Sequence, residues 1–309
     1  MAVRLSPRLI RALIRIAVKP FLGPPFPFWF QRFWLRAVSA VNRPCAQASR
    51  ADIDVAGLSS LMARPEGSDP ERTILYLHGG GYCVGSWSTH LGPATHLAVA
   101  ARATVVAPNY RLAPEHPHPA ALKDALKVYR WILDRGVPPT RVTLAGDSAG
   151  GGLALALAIG IRDSKLPNPA SLVLLSPWTD LTGASDSMRR NVRIDPMLRP
   201  RWPRQCATHY LGGRDPKTPA CSPLFADHRG LPPTLIQVGS DELIVDDSTR
   251  LAERCRSAGV DVTLHQYDGL WHDFQSHAGM LDAADQAMGE IAEFIASHEK
   301  ASDSGKNAV

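Results

Sequence analysis

The feature that most constrains the fold is a regular alternation of short apolar runs with stretches of helical pattern after about residue 50. The apolar runs have the length and the aliphatic composition of buried strands. They cover residues 73–77, 104–107, 142–145, 172–175, 235–238 and 262–267, and helices are predicted at 91–101, 119–135, 150–162, 245–258 and 281–298. This alternation predicts an α/β fold with a mainly parallel central sheet and helices on both faces.

The length and composition suit one large domain with an appendage. The chain has 309 residues, of which 45% are hydrophobic and 20% charged, so it can bury a substantial core. We predict an N-terminal helical cap segment at 1–50 and an α/β catalytic domain at 51–300. Within that domain, residues 179–232 are rich in Pro, Arg and Asp and interrupt the alternation of strands and helices. They are expected to form an excursion, a segment inserted between two strands, that adds to the cap. The polar residues 301–309 are predicted to be a flexible tail.

The N-terminal segment is basic, apolar and aromatic. An amphipathic helix is predicted over 3–18, with basic residues on one face and Leu5, Leu9, Leu13 and Ile16 on another. A second apolar stretch rich in Trp and Phe follows at 28–34. Two interpretations are open: a helical cap packed on the main domain, and a peripheral membrane anchor through residues 1–40, because basic amphipathic helices with aromatic residues favour anionic interfaces.

The net charge of +5 belongs to this segment and not to the body. Residues 1–51 hold nine Arg or Lys and no acidic residue, whereas the remainder has 25 basic against 29 acidic residues, or −4. A nucleic-acid-binding domain requires a basic face on its folded body, so no nucleic-acid partner is expected. No run of about twenty uncharged apolar residues is present, so no transmembrane helix is predicted.

The five cysteines favour a reducing environment. Their number is odd and no two form a C-x-x-C pair, which is atypical of a disulfide framework. We therefore predict free thiols and a cytoplasmic protein, with membrane association left open by the N-terminal segment. No Cys and His spacing matches a zinc site, and no metal or other cofactor is expected.

The most informative motif is Gly146-Asp147-Ser148-Ala149-Gly150. It follows the strand-like run 142–145 and opens a helical stretch, which is the context of a nucleophile elbow. Such a tight turn presents a strained serine, and its glycines are needed because a Cβ would collide with neighbouring backbone. The helix N-terminus adds partial positive charge for a developing oxyanion. Ser148 is the predicted nucleophile.

A second motif, His78-Gly79-Gly80-Gly81, directly follows the strand-like run 73–77. Its glycines allow backbone N–H groups to converge on one point, as stabilisation of a carbonyl oxyanion requires. We predict that two of the three glycine N–H groups, with that of Ala149, form the oxyanion hole, and we favour Gly80 and Gly81. His78 and Asp147 are assigned supporting roles. A dinucleotide loop is disfavoured because the G-x-G-x-x-G spacing is missing.

The acid and the base are expected after later strands, in the order serine, acid, histidine. Asp241 follows the run 235–238 and is the preferred acid, with Glu242, Asp246 and Asp247 as rivals. His272 follows the run 262–267 and is the predicted base. His277 is its one rival.

Together these motifs resemble the hormone-sensitive lipase family of bacterial esterases. Further segments agree with it, among them Ser176-Pro177-Trp178 and Gly239-Ser240-Asp241-Glu242-Leu243. The resemblance covers roughly residues 50–298. It implies an α/β-hydrolase core with a cap largely from the N-terminal region, esterase activity on small and medium acyl chains, no metal and frequent homodimers. Asp273 departs from the family, which commonly has a small residue after the histidine.

The predicted function is hydrolysis of small-molecule carboxylic esters through an acyl-enzyme intermediate on Ser148, with His272 as base and Asp241 as its orienting acid. A lactone hydrolase, a deacetylase and an interfacial lipase on the same site are alternatives. A more distant alternative is a catalytically dead hydrolase-fold binding protein. Such a protein would normally lack the serine, the histidine or an oxyanion glycine, and all are present here.

Overall fold

Eight strands in the part of the chain that the structure describes form a single sheet. The computed structural model describes residues 4–69 and 71–304. The strands are β1 (Ala48–Val55), β2 (Leu58–Pro65), β3 (Thr73–Leu77), β4 (Thr104–Pro108), β5 (Val142–Asp147), β6 (Ser171–Leu175), β7 (Thr234–Gly239) and β8 (Val262–Tyr267). The helices are α1 (Pro7–Ala17), α2 (Phe28–Ser39), α3 (Leu91–Ala101), α4 (Ala120–Asp134), α5 (Ala149–Asp163), α6 (Ser187–Arg190), α7 (Arg201–Leu211), α8 (Val245–Ser257) and α9 (Asp282–Ser304).

The strand order is β1-β2-β4-β3-β5-β6-β7-β8. Strands β3 to β8 run parallel to one another, whereas β1 pairs with β2 and β2 with β4 in antiparallel fashion. The carboxyl ends of β3, β5, β7 and β8 therefore lie along the same edge of the sheet, where sites are built in such folds. All six predicted strands are observed. Strands β1 and β2 were not predicted, because β1 is largely exposed and carries charged residues in place of an apolar run.

The central strands of the sheet are buried on both faces by helices, as predicted. Every residue of β3, β4, β5, β6 and β7 is buried, which explains their continuous apolar runs. Helices α4, α5 and α8 contribute to the core on one face, and α3 and α9 to the core on the other. Side chains of Ile10 and Ile14 from α1 join the second of these cores.

The apolar residues that helix α1 buries differ from those that the predicted amphipathic pattern placed on one face. The helix predicted over 3–18 spans Pro7–Ala17 in the structure, and residue 3 lies outside the described residues. Ile10 and Ile14 face the core, whereas Leu9, Leu13 and Ile16 are exposed. Several basic residues of the N-terminal segment bind the main domain and do not form a free basic face. Arg11 pairs with Asp241, Lys19 donates to the Asp195 carbonyl, and Arg32 forms two hydrogen bonds of 2.8 and 2.7 Å with Glu115.

The excursion between β6 and β7 packs against the N-terminal helices. It contains α6 and α7, and Trp202 of α7 donates from its indole N–H to Gln31 Oε1 of α2 over 2.9 Å. At the other end of the chain, α9 continues to Ser304, so the first part of the predicted flexible tail is helical and 305–309 lie outside the described residues. Among the described helices, none combines the length and the apolar character that crossing a bilayer requires.

The close approach of α5 to strand β3 gives a test of this packing. A Cβ at Gly150 would lie 2.0 Å from the Leu77 carbonyl oxygen, whereas a Cβ at Gly160 in the same helix would meet nothing within 4 Å. Gly150→Ala should lower the thermal unfolding midpoint strongly or prevent folding, because backbone must move. Gly160→Ala is the matched control, and it should stabilise by about 0.5–1 kcal/mol because alanine favours a helix interior. Similar midpoints for the two variants would contradict the packing described.

Candidate active site

Ser148 lies at the turn between β5 and α5 in a backbone conformation that L-residues rarely adopt. Its φ and ψ are 51° and −120°, and the residue is 4% exposed. Its N–H donates to the Leu175 carbonyl over 2.8 Å, and its own carbonyl accepts from Gly152 and Trp178. Three backbone hydrogen bonds therefore hold the strained turn, as expected where strain persists at a functional position.

His272 joins the nucleophile to a buried carboxylate. Its Nε2 lies 2.8 Å from Ser148 Oγ, and its Nδ1 lies 2.8 Å from Glu242 Oε2. All three side chains are almost fully buried. Ser148 follows β5, Glu242 follows β7 and His272 follows β8, so the parallel sheet brings together residues that are 124 and 30 positions apart. His277, the weaker candidate, contacts the Phe274 carbonyl and not the serine.

The preference for Asp241 as the acid is wrong in the structure, where its neighbour Glu242 contacts His272. Asp241 turns outward, is 22% exposed, and pairs with Arg11 of α1. Adjacent residues in this tight loop direct their side chains to opposite sides, and Glu242 is the one directed inward. The sequence after β7 offers several acidic residues, and Glu242 was a rival to Asp241 for the role of orienting acid. Only the path of the loop distinguishes these two residues.

The Glu242 carboxylate is fully buried and receives hydrogen bonds on both oxygens. Its Oε1 accepts from Ser176 Oγ and from the Gly239 N–H, both at 2.6 Å, while Oε2 contacts His272. Donors of this kind offset the cost of removing a carboxylate from water and fix its orientation. Ser176 had been noted only as part of a family motif, and its role beside Glu242 depends on the tertiary structure.

A second carboxyl group lies beside the base. Asp273 Oδ2 is 3.3 Å from His272 Nε2, the same nitrogen that contacts Ser148. Burial lowers the pKa of His272, but the facing acidic groups of Asp273, Glu242 and Asp195 outweigh it and raise the pKa to about 10. Negative charge on these groups stabilises the imidazolium that forms when His272 takes up the serine proton.

The oxyanion loop lies directly beside Ser148. Gly80 and Gly81 have φ values of 120° and 61°, which are left-handed conformations that favour glycine. Their N–H groups, like that of Gly79, donate to no acceptor among the residues that the structure describes. Gly80 and Gly81 line the cavities next to Ser148, whereas Gly79 packs its Cα against Asp147. This arrangement favours Gly80 and Gly81 as the donors, together with Ala149 at the start of α5.

His78 and Asp147 lie in the buried layer behind the loop. His78 stacks on Tyr110 with ring centroids 4.2 Å apart, and its Nδ1 lies 2.8 Å from the Gly79 carbonyl. Burial lowers the pKa of His78 to about 3, so it is a neutral donor. Asp147 accepts from Tyr76 Oη at 2.6 Å and contacts His90 Nε2 at 3.1 Å. Both residues lie against the turn and the loop, and their supporting roles stay predictions; the contact of His90 with Asp147 had not been foreseen.

Two cavities meet at Ser148. The larger has a volume of about 280 Å³, contains His272 and Asp273, and is covered by α1 and α2, whose Ile10, Leu13 and Leu35 contribute to its largely apolar wall. The smaller measures about 10 Å³. Its lining residues are Gly81, Ser148, Trp178, Leu198, Trp202, Pro203 and Ile244. A group attached to the serine would thus find a wide compartment on the side of the base and a narrow one on the other.

Comparison with known proteins agrees with this geometry. Residues 74–276 match the family model described as alpha/beta hydrolase fold. The chain belongs to this α/β-hydrolase family. It is 42% identical to an acetyl-hydrolase of Streptomyces hygroscopicus, over 79% of this chain and 81% of that protein, and 40% identical to an esterase of Acinetobacter venetianus, over 72% and 74%. A crystal structure described as a hormone-sensitive lipase from a metagenome library superposes with a TM-score of 0.91 at 37% identity, over 96% of this chain and 99% of that one.

These matches confirm the predicted α/β-hydrolase fold and the resemblance to hormone-sensitive-lipase-type esterases. The chain is a member of a family of serine ester hydrolases, and the catalytically dead alternative loses its support. The similarity extends over both the N-terminal helices and the main domain, since the superposition covers 96% of the chain.

The two neighbouring acids provide a matched test of the geometry. Glu242→Gln should lower kcat by about 10³–10⁴-fold, because the amide no longer stabilises the imidazolium and can favour the wrong tautomer of His272. Asp241→Asn should change kcat by less than about threefold, since it weakens only a partly exposed ion pair with Arg11. Steady-state hydrolysis of p-nitrophenyl acetate measures both. A large loss in Asp241→Asn with a small one in Glu242→Gln would reverse the assignment.

Proposed function

We propose that this protein hydrolyses short-chain carboxylic esters through an acyl-enzyme on Ser148. The observation that carries the proposal is the continuous contact from Ser148 Oγ through His272 to Glu242, with both distances at 2.8 Å. Nucleophile, base and orienting acid within hydrogen-bond reach are the signature of an activated serine. Membership of an esterase family supports the same chemistry.

In the proposed mechanism, Ser148 Oγ attacks the ester carbonyl while its proton passes to His272 Nε2. Glu242 holds the tautomer of His272 and stabilises the imidazolium that forms. The N–H groups of Gly80, Gly81 and Ala149 stabilise the negative oxygen of the tetrahedral intermediate. His272 then gives the proton to the departing alcohol, and water attacks the acyl-enzyme by the same route to release the acid.

The shape of the two cavities supports a preference for short acyl chains. His272 protonates the leaving oxygen, so the alcohol must depart on the side of the larger compartment, which contains His272. The acyl group is then directed to the narrow compartment closed by Trp202 and Ile244, where about 10 Å³ is free. That space is on the order of one water molecule, and a chain much longer than acetyl must displace packed side chains.

Hydrolysis of p-nitrophenyl esters from acetate to palmitate tests the reaction and the chain length. We expect kcat/KM to be highest for the shortest chains and to fall about tenfold by octanoate. Ile244→Ala should shift the optimum to longer chains, whereas Leu13→Ala, which enlarges the other compartment, should leave it in place. Ser148→Ala should lose at least about 10⁴-fold in rate. Activity that rises with chain length in the wild type would contradict the assignment of compartments and favour a lipase.

We propose further that the cap contacts an anionic membrane surface. Its outer face exposes large apolar side chains, with Ile16 72%, Trp29 70% and Phe33 64% accessible. Leu13 and Val41 are both exposed and part of the wall of the larger cavity, so the cavity opens within this apolar patch. An apolar patch of this kind marks an interaction site. Residues 1–51 carry no acidic residue, which favours an anionic partner. A location in the reducing cytoplasm stays a prediction from the cysteine pattern.

Sedimentation with vesicles tests the membrane proposal. Wild-type protein should pellet with phosphatidylglycerol-containing vesicles at low salt and much less with pure phosphatidylcholine vesicles. Ile16→Asp and Trp29→Asp should each reduce the bound fraction severalfold, while Ala220→Asp, a control with the same charge at an exposed site outside the segment, should not. If the patch is instead covered by a second copy of the chain, the wild type will sediment as a homodimer, the two patch variants as monomers, and vesicle binding will be absent.

A further inference from the structure

We propose that Asp273 binds a hydroxyl group of the leaving alcohol, and that the preferred substrates are monoesters of vicinal diols or polyols. This inference rests on the proposed function, since it concerns the alcohol side of the same reaction. It is suggested by a carboxyl group in the wall of an otherwise largely apolar compartment, beside the atom that protonates the leaving oxygen.

The position of Asp273 is set by the loop after β8. Its backbone lies in the left-handed region with φ of 55°, and its N–H donates to Ser176 Oγ over 3.2 Å. Ser176 also donates to Glu242, so the loop that carries Asp273 is tied to the group that orients the base. The carboxyl of Asp273 is consequently held next to His272 and forms part of the wall of the larger cavity.

The reaction geometry brings the leaving alcohol to this carboxyl. Asp273 Oδ2 lies 3.3 Å from His272 Nε2, and the leaving oxygen must approach the same nitrogen to receive its proton. A hydroxyl on the carbon next to the one that bears the ester oxygen would therefore lie within hydrogen-bond reach of the carboxyl. The alcohol of a simple alkyl ester has no group to offer at this position.

The carboxyl has hydrogen-bonding capacity to spare. Its Oδ1 is buried and has no hydrogen-bond partner among the described residues. Asp147, the other carboxylate in this wall, is already engaged by Tyr76 and His90. A buried oxygen without a partner is costly, and a substrate hydroxyl that hydrogen-bonds to this carboxyl contributes to binding.

The protonation state favours a hydroxyl over an ammonium group as the ligand. Burial raises the pKa of Asp273 well above its ordinary value; His272 lowers it, and Asp147 and Glu242 raise it. A neutral carboxyl can donate one hydrogen bond and accept another, which matches a hydroxyl group. An ammonium group, which can only donate, would require the ionised form.

The test compares two acetates that differ by one hydroxyl: hexyl acetate and the 1-O-acetyl monoester of hexane-1,2-diol. For the wild type, kcat/KM should be at least about tenfold higher for the diol ester. Asp273→Gly, which suits a φ of 55° without strain, should bring the ratio near one. Asp273→Asn should retain much of the preference, because its amide can still donate and accept. Ser276→Ala is the matched control, since it removes another polar group from the same cavity wall and should leave the ratio unchanged.

The ratio is measured at a single pH, so any effect of Asp273 on the pKa of His272 or on the folded fraction cancels. A wild-type ratio near one, or an equal loss on both esters in Asp273→Gly, would overturn the proposal and leave Asp273 as a residue that positions the base. Failure of the proposed function is separate and visible, because neither ester would then be hydrolysed or Ser148→Ala would retain activity.

Discussion

The strained turn at Ser148 is the constraint on which the rest of the site depends. The residue is held at φ 51° between a fully buried strand and the first turn of α5, and hydrogen bonds to neighbouring backbone keep it there. Strain of this kind persists only where the surroundings over-determine the conformation. Gly150 allows α5 to approach the end of β3, and that approach places the nucleophile beside the glycine loop that follows the strand. The position of the oxyanion donors is therefore a consequence of helix-to-strand packing.

The electrostatics of the site are governed by burial of charge around one imidazole. Glu242 is fully buried and satisfied by Ser176 and Gly239, so it can act on His272 Nδ1 in a fixed geometry. Asp273 acts on the opposite nitrogen, where the nucleophile and the leaving group also meet. The two carboxyl groups thus have different surroundings: one is saturated with donors, and the other keeps an oxygen without a hydrogen-bond partner among the described residues. The proposed roles in orienting the base and in recognising the alcohol follow from this difference.

The cap combines attachment to the main domain with an exposed apolar surface. Arg11, Lys19 and Arg32 bind carboxylates or carbonyls of the main domain, while Ile10 and Ile14 reach its core. These contacts account for part of the basic character that the sequence concentrates before Asp52. Leu13 and Val41 are exposed on the outer face and also form part of the wall of the larger cavity, so the cap contributes both to the exposed apolar surface and to the substrate compartment.

The sequence by itself determined the fold class, and it predicted the nucleophile, the base and the oxyanion loop. Each of these depends on local pattern: buried parallel strands are continuous apolar runs, and a serine elbow or a glycine loop needs particular residues at fixed spacing beside them. Tertiary structure alone decided between Asp241 and Glu242, because adjacent acids are equivalent in sequence and only the path of the loop directs one to His272 and the other to Arg11. The same holds for the exposed edge strand β1, whose partner β2 supplies the order that its polar residues do not encode, and for the buried face of α1. Such features are settled by long-range contacts, which no local pattern of residues records.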